Sequence, residues 1–488
     1  MGPRDPLRVA VVGTGLAGLT AAYLLQSDEK QRYAVTLFEQ AQSLSFDSAS
    51  VAVRDEKNGV VERIDLPMRA LAGGYYTNVM RMYNHLGVPY HPIRFLFSFA
   101  KALPARKHDA PDGKTGGGPE GGRGTPGEYF VHASNLHQIP PWPGSRGILA
   151  HFVEILYLIV CQFWFTVACF LVQPITEPDG GETLEEYLQR IWLPRRYATH
   201  YLLPLLSSVS TCSHAEMLAF PASDIVNYKR LSHGQQHYTV CGGVHQVESR
   251  LAQNMRQVRV GARVVEVVPT ADGRVNICWQ STAEDAGLVL EDSFDRVILA
   301  VSPDVASRLF SPVRKSLAKV PTIRVKSSIL RPQSTPAPSF TLVEDEDSHP
   351  KACSHHSGNQ MPPQVICLRT DFGKEARTEA LHTMPGGTVV STCSLDPEAE
   401  AKRVLKTARF TRTLRTTESR AVVERMMEGT RSGKKTDETS KRVEWRNGQD
   451  NVWLTGAWCW DGMVLLEGCL ISAMRIADDF GVKVPWTQ

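Results

Sequence analysis

No sign of charge dominates this chain. Of its 488 residues 54 are basic and 51 acidic, a formal net charge of +3. That is too even to draw a polyanion onto one face, so no nucleic-acid partner is expected. The ten cysteines form no C-x-x-C and no Cys/His pairs at zinc spacing, which excludes zinc ribbons and dithiol redox motifs. The nearest approach, Cys353-Ser354-His355-His356, lies in a polar segment without a partner group, and no metal site is expected. No Ser/His/Asp set with a nucleophile elbow is present, and no pair of carboxylates reads as acid and base. The opening Met1-Gly2-Pro3-Arg4-Asp5-Pro6 lacks the apolar core of a signal peptide. With free cysteines, this leads us to expect a reducing, cytoplasmic compartment.

Long apolar runs are also scarce, with one exception. From Ile155 to Val172 the only clearly polar residues are Gln162 and Thr166, which meets the threshold of about 18 residues for a membrane span. Three readings of 148–172 are open: a helix of the core or of a greasy substrate chamber, a helix in shallow contact with one leaflet, or a span. A span would place the two halves of the nucleotide site described next on opposite sides of the membrane.

The chain does contain a strand–turn–helix opening. Leu7-Arg8-Val9-Ala10-Val11-Val12 reads as a buried strand, and Gly13-Thr14-Gly15-Leu16-Ala17-Gly18 as the turn and helix start of a G-x-G-x-x-G. Gly13 permits the sharp turn, Gly15 lets a pyrophosphate approach the main chain, and Gly18 lets helix and strand pack closely. The free N–H groups and positive dipole end of the helix face the phosphates. A second strand, Ala34-Val35-Thr36-Leu37-Phe38, ends in Glu39, 21 residues past Gly18, against an expected spacing of about 20. A carboxylate there accepts from both ribose hydroxyls and repels a 2′-phosphate, so the ligand is expected to be FAD or NAD.

Apolar residues make up 42% of the chain and charged residues 22%, which fits a large-cored globular protein of two or more domains. Residues 103–128 and 334–363 read as mobile insertions, and 428–441 as a short charged loop. Region 76–239 reads as mostly helical. From Val258 the pattern turns strand-like, with a hairpin at Asp272-Gly273.

Three later segments resemble the flavin-containing amine oxidoreductase and carotenoid desaturase superfamily. They are Tyr238-Thr239-Val240-Cys241-Gly242-Gly243-Val244-His245-Gln246-Val247, Phe294-Asp295-Arg296-Val297-Ile298-Leu299-Ala300-Val301-Ser302-Pro303, and Val452-Trp453-Leu454-Thr455-Gly456-Ala457-Trp458 with Gly462 and Leu466-Glu467-Gly468. The resemblance is nearer to a branch of FAD/NAD(P)-binding oxidoreductases than to true monoamine oxidases. In that branch Thr378–His382 and Thr199–Pro204 have counterparts. It implies an α/β chain. A discontinuous Rossmann-like FAD-binding domain of glutathione-reductase-like type takes 1–75, 240–305 and 445–488, and an α+β substrate domain takes 76–239 and 306–444.

By the same resemblance FAD would be held without a covalent bond. Its contacts would be Gly13, Gly15, Leu16, Ala17, Gly18, Glu39, Gln40, Arg69, the backbone of Val264, Ala300, Gly456, and a helix starting at Gly462-Met463-Val464 beneath the flavin ring. Trp458 or Trp460 would wall the substrate pocket, and Lys326 would activate oxygen. The chain departs from the family at Leu44–Val51, where Phe46 stands in a stretch that in many members carries Gly-Gly, and at Cys459, which lacks the context of a covalent flavin link. The expected activity is dehydrogenation of a hydrophobic small molecule (lipid, polyene or polyketide-like, or an amine) by hydride transfer to flavin N5. Oxygen or a quinone-like acceptor would close the cycle, because a second G-x-G-x-x-G for NAD(P)H is missing. Two alternatives stay open: a redox-neutral flavin isomerase, and a non-catalytic escort of hydrophobic ligands with the same architecture. The residues do not settle the oligomeric state.

Overall fold

The computed structural model describes residues 5–55, 59, 61–103, 127–133, 147–176, 181–282, 288–332, 340–343, 364–427 and 445–487. Cys353–His356, residues 428–441, and nearly all of the insertion read at 103–128 lie outside the described residues.

Five parallel strands build the first sheet: β1 (Leu7–Val12), β2 (Tyr33–Phe38), β3 (Gln257–Arg259), β4 (Arg296–Leu299) and β5 (Val452–Leu454), in the order β3-β2-β1-β4-β5. Val9, Ala10 and Val11 of β1 and Val297, Ile298 and Leu299 of β4 are wholly buried where the two strands pair, as a parallel sheet covered on both faces requires. Alternate residues of β1 feed the two faces. Val9 and Val11 pack with helix α1 (Leu16–Gln26), while Ala10 and Val12 pack with Phe294, Leu299, Phe310 and Trp445. An antiparallel meander of Ala262–Pro269, Val275–Ser281 and Val289–Phe294 covers the second face.

Four further helices matter below: α2 (Thr77–Leu86), α3 (Ile148–Leu171), α4 (Ala222–Ser232) and α5 (Leu466–Asp479). A second, larger sheet has seven strands. It runs Val404–Thr413, Thr322–Leu330, Val389–Thr392, Arg377–Thr383, Gln364–Asp371, Phe95–Lys101 and Glu128–Ala133. Only the pairing of Gln364–Asp371 with Phe95–Lys101 is parallel. Region 76–239 is thus less helical than its sequence suggests. Tyr90–Ile93, Phe95–Lys101 and Glu128–Ala133 are strands, the aromatic alternation Phe95, Phe97, Phe99 having the period of a strand rather than a helix. The segment read as a loop at 334–363 contains a strand too, Phe340–Val343, paired with Val51–Asp55.

Candidate active site

The glycine turn closes tightly. Gly13 has φ +99°, and a Cβ on it would lie 2.6 Å from the Ala300 carbonyl oxygen. A Cβ on Gly18 would lie 2.0 Å from the Gly13 carbonyl oxygen and 2.9 Å from Ala300 Cβ, whereas one on Gly15 would meet nothing within 4 Å. Gly13 and Gly18 therefore bring turn, helix and β4 together, and Gly15 leaves the approach to the helix start clear. Gly15 is the N-cap of α1 and supplies no side-chain cap, and a helix start left without one suits an anion.

Glu39 is buried at the end of β2. Its Oε2 accepts from the Thr14 hydroxyl at 2.7 Å and the Thr14 N–H at 3.2 Å, and its Oε1 accepts from the Ala41 N–H at 3.0 Å. The carboxylate is thus held beside the glycine turn. Its own carbonyl accepts from the Ala262 N–H at 2.8 Å, which draws the strand bearing Val264 alongside. Val264 is buried at an irregularity of that strand. Gln40 is exposed, and its carbonyl accepts from Thr282.

Arg69 lies deep beside Tyr83 and Cys469, and the Cys469 thiol sits against the backbones of Ala17 and Ala457. Burial lowers the pKa of its guanidinium, Asp65 opposes that shift, and its Nε is buried with no hydrogen-bond partner. It packs over the Phe46 ring, 5.0 Å from the centroid, and Nη2 reaches the Phe46 carbonyl at 3.4 Å. Phe46 turns its ring into the core instead of standing at the phosphate position. The central glycine pair faces the same region. Gly243 has φ +92°, a Cβ there would meet Arg63 and Asp65, and the next N–H, of Val244, donates to Asp65 at 3.2 Å. A cavity of about 200 Å³ runs from Arg69 and Asp65 past Gly243 to Gln364 and His382. An orphaned guanidinium nitrogen, an uncapped helix start and a carboxylate at the strand end suit the pyrophosphate and ribose of a dinucleotide.

At the C-terminal end, Gly456 has φ +154° and its N–H donates to the Ser472 hydroxyl at 3.1 Å, tying β5 to α5. The two tryptophans diverge after this glycine. Trp458 is buried in the meander-side core, and its Nε1 donates to the Val301 carbonyl at 3.1 Å. It therefore braces β4 against β5 and does not wall a pocket. Trp460 lies across Gly462 and Gly468, where a Cβ would clash with it at 2.6 and 2.3 Å. Its ring centroid is 6.2 Å from that of Tyr75, which in turn lies 5.1 Å from Tyr76 and 4.7 Å from Tyr228 of α4.

The helix beneath this cluster starts at Leu466, four residues later than the sequence suggests. Gly462, Met463 and Val464 form a turn, because Gly462 is needed to seat Trp460. Cys459 is fully buried in the meander-side core. Lys326 is exposed on Thr322–Leu330, on the face opposite buried Val325 and Ser327, and takes no part in the aromatic cluster. Its alternation along the strand turns it to solvent.

Sequence reading missed several site residues. Arg412, at the end of Val404–Thr413, lies deep between Tyr76, Arg69, Cys212 and Cys393, and donates to the Val209 carbonyl at 2.8 Å and the Thr211 hydroxyl at 3.3 Å. Burial depresses its guanidinium, which still remains charged at neutral pH. Glu467, in the first turn of α5, accepts from the N–H groups of Asn78 and Val79 at 2.9 and 3.2 Å. It thereby caps α2 and fixes Tyr75 and Tyr76 just before it. Burial raises the phenol pKa of Tyr75 and Tyr76 well above the ordinary tyrosine value and that of Tyr228 to about 12, so these phenols stay protonated and do not act as bases. The one signal in the sequence for this cluster is Tyr75-Tyr76 directly after Gly73-Gly74.

Comparison with known proteins agrees with this arrangement. Residues 11–86 match the NAD(P)-binding Rossmann-like domain, and residues 196–480 match the flavin containing amine oxidoreductase family. Among curated proteins, none matches. The fold is similar to that of a CLA-producing fatty acid isomerase from P. acnes, with a TM-score of 0.54 and 10% identity over 97% of this chain and 98% of that one. It is also similar to a putrescine oxidase redesigned in its cofactor binding, with a TM-score of 0.50 and 12% identity over 98% of this chain and 100% of that one. At such identities these likenesses speak for the fold, whereas the family match spans more than half of the chain. The chain belongs to the flavin-containing amine oxidoreductase family, with FAD as its cofactor.

Proposed function

We propose that this protein dehydrogenates a hydrophobic small molecule whose polar end is neutral or acidic. The observation that carries this reading is a cation set against an aromatic cluster. Tyr75, Tyr76, Tyr228 and Trp460 supply an apolar wall, and the cation Arg412 lies beside Tyr76, while the nearby Glu467 is held by the N–H groups of Asn78 and Val79. A protonated amine would meet the Arg412 guanidinium there. A carboxylate or hydroxyl would find donors. FAD, when bound, supplies the hydride acceptor at N5. The chain's own residues orient the substrate and exclude water, and no side chain needs to act as a strong base. Oxygen or a quinone-like acceptor would take up the electrons.

The purified protein is expected to be yellow and to release FAD on denaturation. Glu39→Ala should lower flavin retention by about tenfold or more, the loss of two charged hydrogen bonds. Anaerobic bleaching by substrate, with recovery in air and no need for NADP, supports the dehydrogenase. Product formation with no net flavin reduction would point instead to isomerisation. A colourless protein that takes up no FAD would favour a ligand escort and overturn the proposal.

A further inference from the structure

Helix α3 is apolar on the outside and polar-bonded on the inside. Its exposed positions are Ile148, Leu149, Ala150, Phe152, Val153, Leu156, Ile159, Val160, Phe163, Trp164, Phe170 and Leu171, without one charged or hydrogen-bonding group apart from the Trp164 indole. Leu149 and Leu171 are each 76% exposed. They recur along the whole helix, about 36 Å at 1.5 Å per residue. The opposite face is fixed to the protein. Glu154 pairs with Arg196 at 2.7 Å and accepts from Tyr201, Tyr197 donates to Gln162, and the Cys169 carbonyl accepts from Arg230 of α4. Trp164 donates to the Ile191 carbonyl at 2.7 Å, and the next residue, Trp192, is 88% exposed with φ +56°. The exposed Arg195 and Arg196 follow it.

We propose that α3 lies flat in one leaflet of a lipid bilayer and holds the protein on a membrane surface. A spanning helix needs hydrocarbon around its whole perimeter, and here one side is occupied by an ion pair and hydrogen bonds. A protein partner of the non-obligate kind covers a patch about as polar as the rest of a protein surface, whereas the exposed face of α3 carries no hydrogen-bonding group but the Trp164 indole. The bilayer fits the pattern. Aliphatic and phenylalanine side chains enter the acyl region, tryptophan sits at headgroup level, and the exposed Arg195 complements anionic headgroups. The site also sits well for a hydrophobic substrate. Arg230, which holds the end of α3, is two residues from Tyr228, whose ring lies 4.7 Å from Tyr75. The membrane contact itself does not depend on the redox reading.

The test is co-sedimentation of the flavin-loaded full chain with vesicles of phosphatidylcholine alone and with one fifth phosphatidylserine. Binding is expected to both, severalfold stronger with phosphatidylserine, and weakened by 0.5 M salt. The combined variant Phe152→Gln, Val160→Gln, Phe163→Gln should bind at least tenfold more weakly while keeping its flavin and its circular dichroism. Tryptophan fluorescence should be quenched by lipids brominated near the headgroup. Wild type that stays in the supernatant at millimolar lipid overturns the proposal. So does a variant that binds as well as wild type, stronger quenching by bromine at the bilayer centre, or a wild-type dimer that the variant abolishes without vesicle binding.

Discussion

Arg415 donates through Nη2 to the Trp460 carbonyl at 2.8 Å, and the same nitrogen reaches the carbonyls of Trp458 and Gly462 at 3.2 Å. A side chain that follows the strand Val404–Thr413 thus holds the loop between β5 and α5. Its counter-ion is Asp224 of α4, 3.9 Å away, which Arg420 also grips at 2.6 Å. Burial raises the Asp224 carboxyl, and both arginines oppose the shift. Arg415→Met removes the three carbonyl contacts but leaves Asp224 its second partner. It should destabilise the fold by about 3 kcal/mol, near the low end for a broken buried pair. Flavin affinity should fall with it. Urea unfolding and flavin titration measure the two effects, and unchanged values would show that the loop holds itself.

The glycine turn separates a folding role from a binding role. Gly18→Ala forces a Cβ to within 2.0 Å of a carbonyl oxygen, and should cost several kcal/mol or prevent folding. Gly15→Ala finds open space and a backbone conformation that alanine accepts. It should fold normally and lose about tenfold or more in FAD affinity, because its methyl group stands where the phosphates approach. Equal flavin binding by Gly15→Ala and wild type would remove Gly15 from the site.

The nucleotide half of this site was legible because its parts are local. Gly13, Gly15, Gly18 and Glu39 belong to one strand–helix–strand unit with fixed spacing, and the fold demanded by that unit is the one observed. The aromatic cluster was not legible, because Tyr75, Tyr228 and Trp460 meet only through tertiary packing, and none sits in a spaced motif. Trp458 and Trp460 show the limit well. Two residues apart after a strand, they would share a face if the strand continued, but the backbone at Gly456 turns them to different cores. The start of α5 was misplaced for a related reason. Gly462 looks like a helix entrance, and its actual work is to admit an indole ring.

The cavity beside Arg69 carries a pH dependence through Glu62. Burial pushes its carboxyl up to about 7, against a favourable hydrogen bond from the Gly386 N–H. The folded protein therefore holds a proton that the unfolded chain gives up at lower pH. The stability this proton confers is complete below the ordinary carboxylate pKa and is lost as pH rises through about 7. Glu62→Gln should flatten this decline, and at pH 8 the variant should be more stable than wild type by about 1–3 kcal/mol. Denaturant melts at pH 5 and pH 8 decide it. A variant that declines as steeply as wild type would place the titration elsewhere.

Arg412 offers the sharpest test of substrate class. It sits deep beside Tyr76 and Arg69, and its hydrogen bonds run to a carbonyl and a hydroxyl, so its charge is available to a ligand. Arg412→Met keeps much of the side chain's length and removes the cation. If the substrate ends in a carboxylate, KM should rise about 10–100-fold, the loss of a charged hydrogen bond at about 1.5–3 kcal/mol. The neutral ester or alcohol of the same chain should change little. An amine substrate would behave in the opposite way, because removing the cation relieves repulsion and KM should fall. A neutral hydrocarbon substrate would be indifferent to the change. Measuring the three ligand types against wild type and variant, with flavin content as a control for folding, reads directly which charge Arg412 selects.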